Sequence, residues 1–196
     1  ARALGKPVGT YVTLELDGLA RREEDAFGRA ARALAAELGA LLGLAPGAPA
    51  LVVGLGNRAI TPDNIGPKAA DQTMVTRHLV ERVPEHFGSF RPVAALAAGV
   101  LGTTGMESGE LVRAVAETLR PACVIAVGVP TVVDAATLTC DVLAEAGKGE
   151  LNPAALQGAG DGLIVTPKDI DTQVHDLAKV IGYGINLALH TGLTIG

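Results

Sequence analysis

The hydrophobic pattern of the chain switches between short runs typical of strands and longer stretches with helical spacing. Alternating apolar and polar residues at Tyr11–Leu16 predict a strand, and Asp17–Gly18 behind it predicts a turn. From Arg22 to Leu42 the apolar residues recur at spacings of three, four and seven, which predicts an amphipathic helix. Gly43 is expected to end this helix.

The same alternation continues to the end of the chain. Further strands are predicted at Ala50–Val53, Pro92–Ala97, Ala122–Val127 and Leu163–Val165, with Val132–Val133 as one more candidate. Helices are predicted at Pro67–Val83, Glu107–Leu119 and Ala135–Ala146, and a capping box at Thr166–Asp169 opens a last long helix. Strands that alternate with helices favour a mainly parallel sheet covered on both faces. We therefore expect a three-layer α/β fold, in a single domain spanning residues 1–196.

Composition narrows the classes of partner. Hydrophobic residues make up 48% of the chain and charged residues 19%, so a folded core is expected. The net charge is -5 and the basic residues are scattered, which argues against nucleic acid as a partner. No run approaches the roughly 18 apolar residues of a membrane span. Cys123 and Cys140 lack a CxxC spacing, and we expect buried free thiols in a reducing cytoplasm.

The segment Leu51–Pro67, with the sequence LVVGLGNRAITPDNIGP, has the clearest chemical content. Its Gly-x-Gly turn follows a strand, but Ile60 stands where a dinucleotide-binding fingerprint requires a third glycine. What remains is Asp63, an acid between Pro62 and the expected start of a helix. Ligands bind beyond the carboxyl ends of parallel strands, which is where this acid should lie. The alternative is that Asp63 serves only as a helix cap or turn residue.

Other candidate residues have weaker patterns. Thr103, Thr104 and Glu107 lie on a glycine-rich loop after the predicted strand Pro92–Ala97, where they either line a substrate cleft or cap the next helix. The four histidines, His78, His86, His175 and His190, show no metal-binding spacing. We therefore expect neither a bound metal nor a cofactor.

Several motifs, in order along the chain, resemble those of one protease family. They are GLGN, TPD and GPK between Gly54 and Lys68, MVTRHL at Met74–Leu79, AGVLGTTGMES at Ala98–Ser108, GVPTVVDA at Gly128–Ala135 and VTPKDID at Val165–Asp171. Together they resemble the spore germination proteases, which cleave small acid-soluble spore proteins. A more distant likeness, through the GxGN turn and a downstream acid, is to the hydrogenase maturation proteases.

The resemblance implies a site as well as a fold. In the germination proteases the aspartate of the TPD motif is one of two essential carboxylates, and Asp63 matches it. Two close carboxylates suit peptide hydrolysis, because one can accept a proton from water while the other, protonated, donates one. We expect Asn57, Thr61, Thr104 and Glu107 to contact the substrate.

The chain departs from the family pattern after the predicted strand Ala122–Val127. In the family the second essential aspartate normally follows a strand of VIA type and begins a long loop, whereas here Val124–Val127 runs directly into Gly128. Family segments are thus expected to be missing before residue 1, after Val127 and within residues 147–160. Asp134 is a weak substitute for the absent acid, since it is better suited to cap the helix from Ala135.

The resemblance implies an aspartate-dependent endopeptidase that acts on small acid-soluble spore proteins at germination. It further implies a zymogen, a homo-oligomer and a location in the cytoplasm of the forespore or spore core. Two alternatives stay open: a catalytically inactive paralogue that binds protein or peptide, and a metal-dependent maturation protease in which Asp63 is a ligand.

Overall fold

A three-stranded parallel sheet forms the centre of the protein. The computed structural model describes residues 9–128 and 169–195. The strands are β1 (Ala50–Leu55), β2 (Val93–Gly99) and β3 (Cys123–Val127), arranged side by side in the order β2-β1-β3. Strand β1 lies in the middle and pairs with both neighbours. Its continuous apolar sequence fits this position, because a central parallel strand is buried on both faces.

Helices connect and cover these strands. They are α1 (Asp17–Ala20), α2 (Ala26–Leu42), α3 (Ile65–Asp71), α4 (Arg77–Arg82), α5 (Pro84–Phe87), α6 (Leu101–Thr104), α7 (Ser108–Leu119) and α8 (Ile170–Leu189), with a short 3-10 helix at Pro62–Asn64. Within residues 9–128 and 169–195, no helix is long and apolar enough to cross a membrane.

Two apolar clusters lie on opposite faces of the sheet. On one face Val52 and Val93 pack with Ala69 of α3 and with Ala178 and Ile185 of α8. On the other face the core is formed by Leu51, Val53 and Ala98, against which one side of α7 packs through Leu111, Val112, Val115, Ala116 and Leu119. Because side chains alternate along β1, this strand contributes residues to both clusters. The expected three-layer α/β fold is confirmed for the described residues.

Most predicted elements are present with shifted ends. Strands β1, β2 and β3 lie where the apolar runs predicted them, with β1 and β2 each extended by two residues at the carboxyl end. Helix α7 begins one residue later than predicted, and α8 begins at Ile170, directly after Asp169, the last residue of the predicted capping box. Helix α2 begins at Ala26 rather than at Arg22, because Arg22 and Asp25 have positive φ angles of 53° and 52°.

The prediction of a strand at Tyr11–Leu16 is wrong. These residues form no regular structure, and the following Asp17–Gly18, predicted as a turn, begins the short helix α1. Tyr11 and Val12 are exposed, while Leu14 and Leu16 are half-buried. An alternating sequence becomes a strand only when a neighbouring strand satisfies its backbone, and the described sheet has no pairing with this segment.

The single predicted helix Pro67–Val83 is also wrong, because it is two helices with a break between them. Helix α3 already begins at Ile65 and ends at Asp71. In the break, the amide of Thr76 donates to the carbonyl of Val93 at 3.0 Å, and the amide of Val93 donates to the hydroxyl of Thr76 at 3.0 Å. Asn186 binds the backbone of Gln72 and Met74. Pairing with the start of β2 and with α8 therefore outcompetes helical hydrogen bonding.

Several predictions fall outside the described residues. They are the strands at Val132–Val133 and Leu163–Val165, the helix at Ala135–Ala146, the first three residues of the capping box at Thr166–Asp169, and the thiol of Cys140.

A buried polar cluster lies at the amino-terminal edge of the sheet, opposite the carboxyl ends of the strands. Arg91 donates from Nε to the carbonyl of Leu189 at 3.0 Å and from one terminal nitrogen to the carbonyls of Ala45 and Ala48. His190 is 2% exposed, and its Nε2 lies 3.4 Å from the carbonyl oxygen of Met74. Arg91 and the MVTRHL motif thus join the break after α3 to the end of α8, which is a structural role.

Burial lowers the pKa of His190 below its ordinary value, and the positive charge of Arg91 acts in the same direction. Above pH 6.5 the ring is neutral in both the folded and the unfolded chain. Below it the unfolded chain takes up a proton that the folded chain resists, so the free energy of unfolding should decrease as pH falls. We expect His190→Gln to weaken this decrease in chemical denaturation between pH 7 and pH 5. His175→Gln, at an exposed position of α8, is the control and should leave the decrease unchanged.

Candidate active site

The candidate site lies at the carboxyl edge of the sheet, where the chain leaves β1 and β2 toward opposite faces. After β1 it passes to α3, which packs in the cluster of Val52 and Val93, and after β2 it passes to α7, which packs in the cluster of Leu51 and Val53. Adjacent strands whose connections diverge in this way leave a crevice beyond their carboxyl ends. In α/β proteins this crevice is the usual ligand site.

Asp63 lies in this crevice region, on the loop that follows β1. It is the middle residue of the 3-10 helix Pro62–Asn64, and its side chain is half-buried. Its Oδ2 accepts a hydrogen bond of 2.7 Å from the backbone amide of Asn57. Within the described ranges, Oδ1 has no hydrogen-bond partner. One carboxylate oxygen therefore fixes the loop and the other is available to a ligand.

Gly56 makes the approach of Asp63 to the strand end possible. Its φ angle is +131°, a conformation that side chains rarely adopt. A Cβ atom at this position would lie 2.0 Å from the backbone oxygen of Asp63 and 2.9 Å from its Oδ1. The second glycine of the Gly-x-Gly turn is therefore needed for contact with the acid rather than with a nucleotide.

Two further glycines fix the start of α3 against the sheet. A Cβ on Gly54 would lie 2.4 Å from the backbone oxygen of Gly66, and a Cβ on Gly66 would lie 2.2 Å from the oxygen of Leu55 and 2.3 Å from that of Val127. Backbone thus packs directly on backbone. The helix that follows Asp63 is held against the ends of both β1 and β3, so the chain leaving Val127 starts beside the Asp63 loop.

Asn57 and Thr61 both belong to the loop that positions Asp63. The Oδ1 of Asn57 accepts from the amide of Ala59 at 2.9 Å, which forms a tight turn, and the carbonyl of Thr61 accepts from the amide of Asn64 at 3.2 Å. Among the described residues the Thr61 hydroxyl has no partner. The structure brings both residues to the side of Asp63, and their contact with substrate stays a prediction.

Thr104 and Glu107 lie on the loop after β2, on the other side of the crevice. The Thr104 hydroxyl lies within hydrogen-bond distance of the carbonyls of Val100 and Met106, to either of which it can donate, and it accepts from the amide of Met106. Glu107 precedes α7, and its amide donates to Glu110 Oε2 at 3.3 Å. Both side chains are exposed. These contacts stabilise the loop and the start of α7, and substrate contact stays a prediction here as well.

An ion pair that no sequence pattern predicted braces the Asp63 loop. The guanidinium of Arg58 donates two hydrogen bonds, of 2.7 and 2.9 Å, to the carboxylate of Asp71 at the end of α3. This contact holds the pKa of Asp71 below its ordinary value. Because both side chains are about half exposed, the pair contributes at most about 1 kcal/mol to stability. A separation of 13 residues gives no pattern by which it could have been found.

The remaining candidates add no further group to this edge. His78 is exposed on α4, far along the chain from Asp63, and Asp134 lies outside the described residues. Across residues 9–128 and 169–195, no three His, Cys, Asp or Glu side chains are grouped so that they could hold a metal ion. Cys123 is a free, half-buried thiol whose pKa is raised by burial, as predicted for a core cysteine.

The fold and the edge define a three-layer α/β protein with a carboxylate in the crevice beyond its parallel strands. Comparison with known proteins makes the class specific. The family model described as "Germination protease" matches residues 1–127 and 141–195. The chain belongs to the germination protease family, and so to a family of proteases that act in germination.

Individual relatives agree with this assignment. A protein named "Germination protease" from Clostridium perfringens is 33% identical over 267 aligned residues, which cover 100% of this chain and 82% of the relative. One of the same name from Caldanaerobacter subterraneus is 34% identical over 265 residues, covering 98% and 82%. Another from Bacillus licheniformis is 27% identical over 299 residues, covering 99% and 81%.

The alignment lengths also bear on the expected missing segments. The match to the Clostridium perfringens protein has 267 positions against the 196 residues of this chain, so 71 positions of the relative have no counterpart here. The family match is interrupted at residues 128–140, directly after β3, and the GVPTVVDA motif falls in this interruption. Which segments account for the 71 positions stays a prediction.

The contact between Gly56 and Asp63 predicts a selective loss of stability. Gly56→Ala should lower the free energy of unfolding by about 2–3 kcal/mol, because the φ angle is strained for alanine and the new Cβ overlaps the Asp63 backbone. Gly102→Ala is the matched control, since a Cβ there meets nothing within 4 Å. Chemical denaturation of both variants measures the difference. Equal stabilities would contradict the close approach.

Proposed function

We propose that this protein is an endopeptidase that hydrolyses small acid-soluble spore proteins at germination, through a pair of aspartates that includes Asp63. The observation that supports it most is the geometry of Asp63. Three glycines and one backbone amide hold this acid at the crevice, with Oδ1 free of partners among the described residues. An aspartate that only capped a helix or closed a turn would not need a carboxylate oxygen that is free of partners at the crevice.

The chemistry proposed for the pair is general acid–base catalysis. One carboxylate accepts a proton from the attacking water as its oxygen bonds to the peptide carbonyl carbon. The other, protonated, donates its proton to the carbonyl oxygen. The first carboxyl then donates the proton that it took from water to the leaving nitrogen, while the second regains a proton from the tetrahedral intermediate as the carbonyl re-forms. Two adjacent carboxyl groups supply both forms at one pH, because the first ionisation opposes the second. The account leaves open which role belongs to Asp63.

The second carboxylate should reach the crevice from the chain after β3. Gly66, three residues after Asp63, contacts the carbonyl of Val127, so residues that follow Val127 begin next to the Asp63 loop. In the resembling family the second aspartate follows this same strand. On the described loops after β1 and β2, the other acid is the exposed Glu107. Asp134 stays a weak candidate.

The proposal extends to the setting of the enzyme. Small acid-soluble spore proteins would be its partners, the spore core its location, and a homo-oligomer formed from a zymogen its assembly. These points follow from the family resemblance. Light scattering of the purified protein measures the oligomer, and a monomer at all concentrations would contradict that part of the proposal.

A substitution of the acid tests the catalytic assignment. Asp63→Asn should reduce cleavage of a spore-protein peptide by at least about a thousandfold, because the amide can neither accept nor donate the required proton. Its melting temperature should change little, since the amide oxygen can still accept from Asn57. Asp171→Asn, on an exposed position of α8, should retain full activity. Retained cleavage by Asp63→Asn would contradict the catalytic role of Asp63.

The metal-dependent alternative makes Asp63 a ligand instead of a proton carrier. A chelator then separates the two mechanisms. Cleavage by the aspartate pair should be unchanged after dialysis against EDTA, whereas a metal protease should lose activity and regain it when a divalent ion is added.

The inactive alternative is a paralogue that keeps the fold and binds peptide without cleaving it. This alternative is favoured if no acid that follows Val127 and Gly128 reaches Asp63. A wild-type protein that binds a spore-protein peptide but releases no product on prolonged incubation would favour this alternative over the protease.

A further inference from the structure

A single hydrogen bond sets the direction of the Asp63 carboxylate. Its Oδ2 accepts from the backbone amide of Asn57 at 2.7 Å, and among the described residues the carboxylate makes no other hydrogen bond or ion pair. The backbone of Asp63 is fixed separately, by its close approach to Gly56. Which carboxylate oxygen faces the crevice therefore depends on where the Asn57 amide points.

The turn that carries this amide is closed by short-range hydrogen bonds. The amide of Ala59 donates to Oδ1 of Asn57, and the amide of Ile60 donates to the carbonyl of Asn57. The carbonyl of Ile60 accepts from the amide of Asp63 at 3.0 Å, which links the turn to the 3-10 helix. The residues Arg58, Ala59 and Ile60 are all exposed. These bonds fix the shape of the turn, but they do not tie it to the sheet or to a long helix.

Arg58 connects this turn to α3. Within the part of the chain that the structure describes, its ion pair with Asp71 is the one polar side-chain contact that leads from the turn to another element. Asp71 is the last residue of α3, and the start of this helix packs backbone to backbone on the sheet through Gly66. The carbonyl of the next residue, Gln72, accepts from Asn186 of α8 at 2.9 Å. The carboxylate of Asp71 is therefore a fixed point for the turn.

The geometry of this pair suits positioning better than stabilisation. The two terminal nitrogens of Arg58 donate to different oxygens of Asp71, at 2.7 and 2.9 Å, so the guanidinium and the carboxylate keep one relative orientation. An exposed pair of this kind contributes little to the free energy of unfolding. Catalysis is more sensitive, because misplacing a reacting group by about 1 Å can cost on the order of a hundredfold in rate.

We propose that Arg58 and Asp71 are positioning residues for Asp63. Their ion pair holds the Asn57 amide in place, and that amide keeps one carboxylate oxygen of Asp63 turned toward the crevice. Neither member of the pair needs to contact the substrate. The inference rests on the proposed function, because it takes Asp63 as an acid or base in peptide hydrolysis. Loss of the pair should therefore lower kcat and leave KM unchanged.

Steady-state kinetics on a spore-protein peptide compare the full wild-type chain with Arg58→Ala, Asp71→Ala and the double variant. Each single substitution should lower kcat about tenfold at an unchanged KM, because the substrate still binds while Asp63 is aligned less often. The double variant should lose the same factor, since either substitution alone already breaks the pair. Arg58→Lys, which keeps the charge but not the two parallel bonds, should have an intermediate kcat.

Glu81→Ala is the matched control. It removes the ion pair between Arg77 and Glu81, which is 2.8 Å long and also joins partly exposed side chains. This pair lies on α4, which follows the break at the amino-terminal edge of the sheet, opposite the candidate site. The control should keep the kcat and KM of the wild type.

Hydrogen exchange of the Asn57 amide, followed by NMR, measures the positioning without reference to activity. In the wild type this amide is protected by its bond to Asp63. Exchange should become about tenfold faster in Arg58→Ala and in Asp71→Ala, because the bond opens more often when the turn is released. In Glu81→Ala the exchange rate should be that of the wild type.

Several results would overturn the inference. One is an unchanged kcat or unchanged Asn57 exchange in Arg58→Ala. Another is a loss of kcat in Arg58→Ala but not in Asp71→Ala, because Arg58 would then act on the substrate itself. A loss of about a hundredfold in the double variant would indicate two independent roles. A melting temperature several degrees below that of Glu81→Ala would assign the pair to stability instead.

Failure of the proposed function gives a different result. If the wild type cleaves no peptide and Arg58→Ala still speeds exchange of the Asn57 amide, the protease is refuted and the positioning of Asp63 stands. If the wild type and the variants cleave equally, with equal exchange, the positioning role is refuted and the protease stands.

Discussion

Contact of backbone with backbone at Gly54 and Gly66 is the constraint on which the rest of this edge depends. Each would-be Cβ lies within 2.4 Å of a main-chain oxygen, so no other residue fits without moving α3 away from the sheet. With α3 so close, the preceding 3-10 helix lies over the end of β1 and Gly56 meets Asp63. The position of the acid is therefore set by the sheet itself rather than by a mobile loop.

That placement links the packing of the fold to its chemistry. A catalytic pair needs both carboxyl groups within a few ångströms, and only rigid elements can hold charged groups together against their repulsion. Gly66 contacts the ends of β1 and β3 at once, so the strand that precedes the expected second acid is attached to the helix that follows the first.

The sequence predicted those parts of the fold that depend on local pattern. The buried run Leu51–Val53 fits a strand, and the amphipathic stripe of α7 fits the period of a helix. The structure has both elements at these positions. The strand at Tyr11–Leu16 and the unbroken helix through Thr76 failed because their outcome depends on distant partners. Thr76 leaves the helix for Val93, seventeen residues away, and no window of local sequence contains that competition.

Prediction of the site has the same limits, and the catalytic role of Asp63 stays a prediction. The TPD motif singled out Asp63, and the Gly-x-Gly turn favoured a close approach of backbone, but only the structure shows that Gly56 meets Asp63 itself. The Arg58–Asp71 pair was not predicted, because a charged residue on a loop looks the same in sequence whether it is paired or unpaired. Burial and pairing emerge only in three dimensions.

The central claim is that Asp63 acts with a second carboxyl group, and the dependence of kcat/KM on pH tests it most directly. For a spore-protein peptide cleaved by the wild-type chain, the account predicts a bell-shaped profile with both limbs due to carboxyl ionisation: activity falls when both groups are protonated and when both are ionised. A profile governed by a single ionisation, or one that rises with the ionisation of a metal-bound water, would contradict the pair.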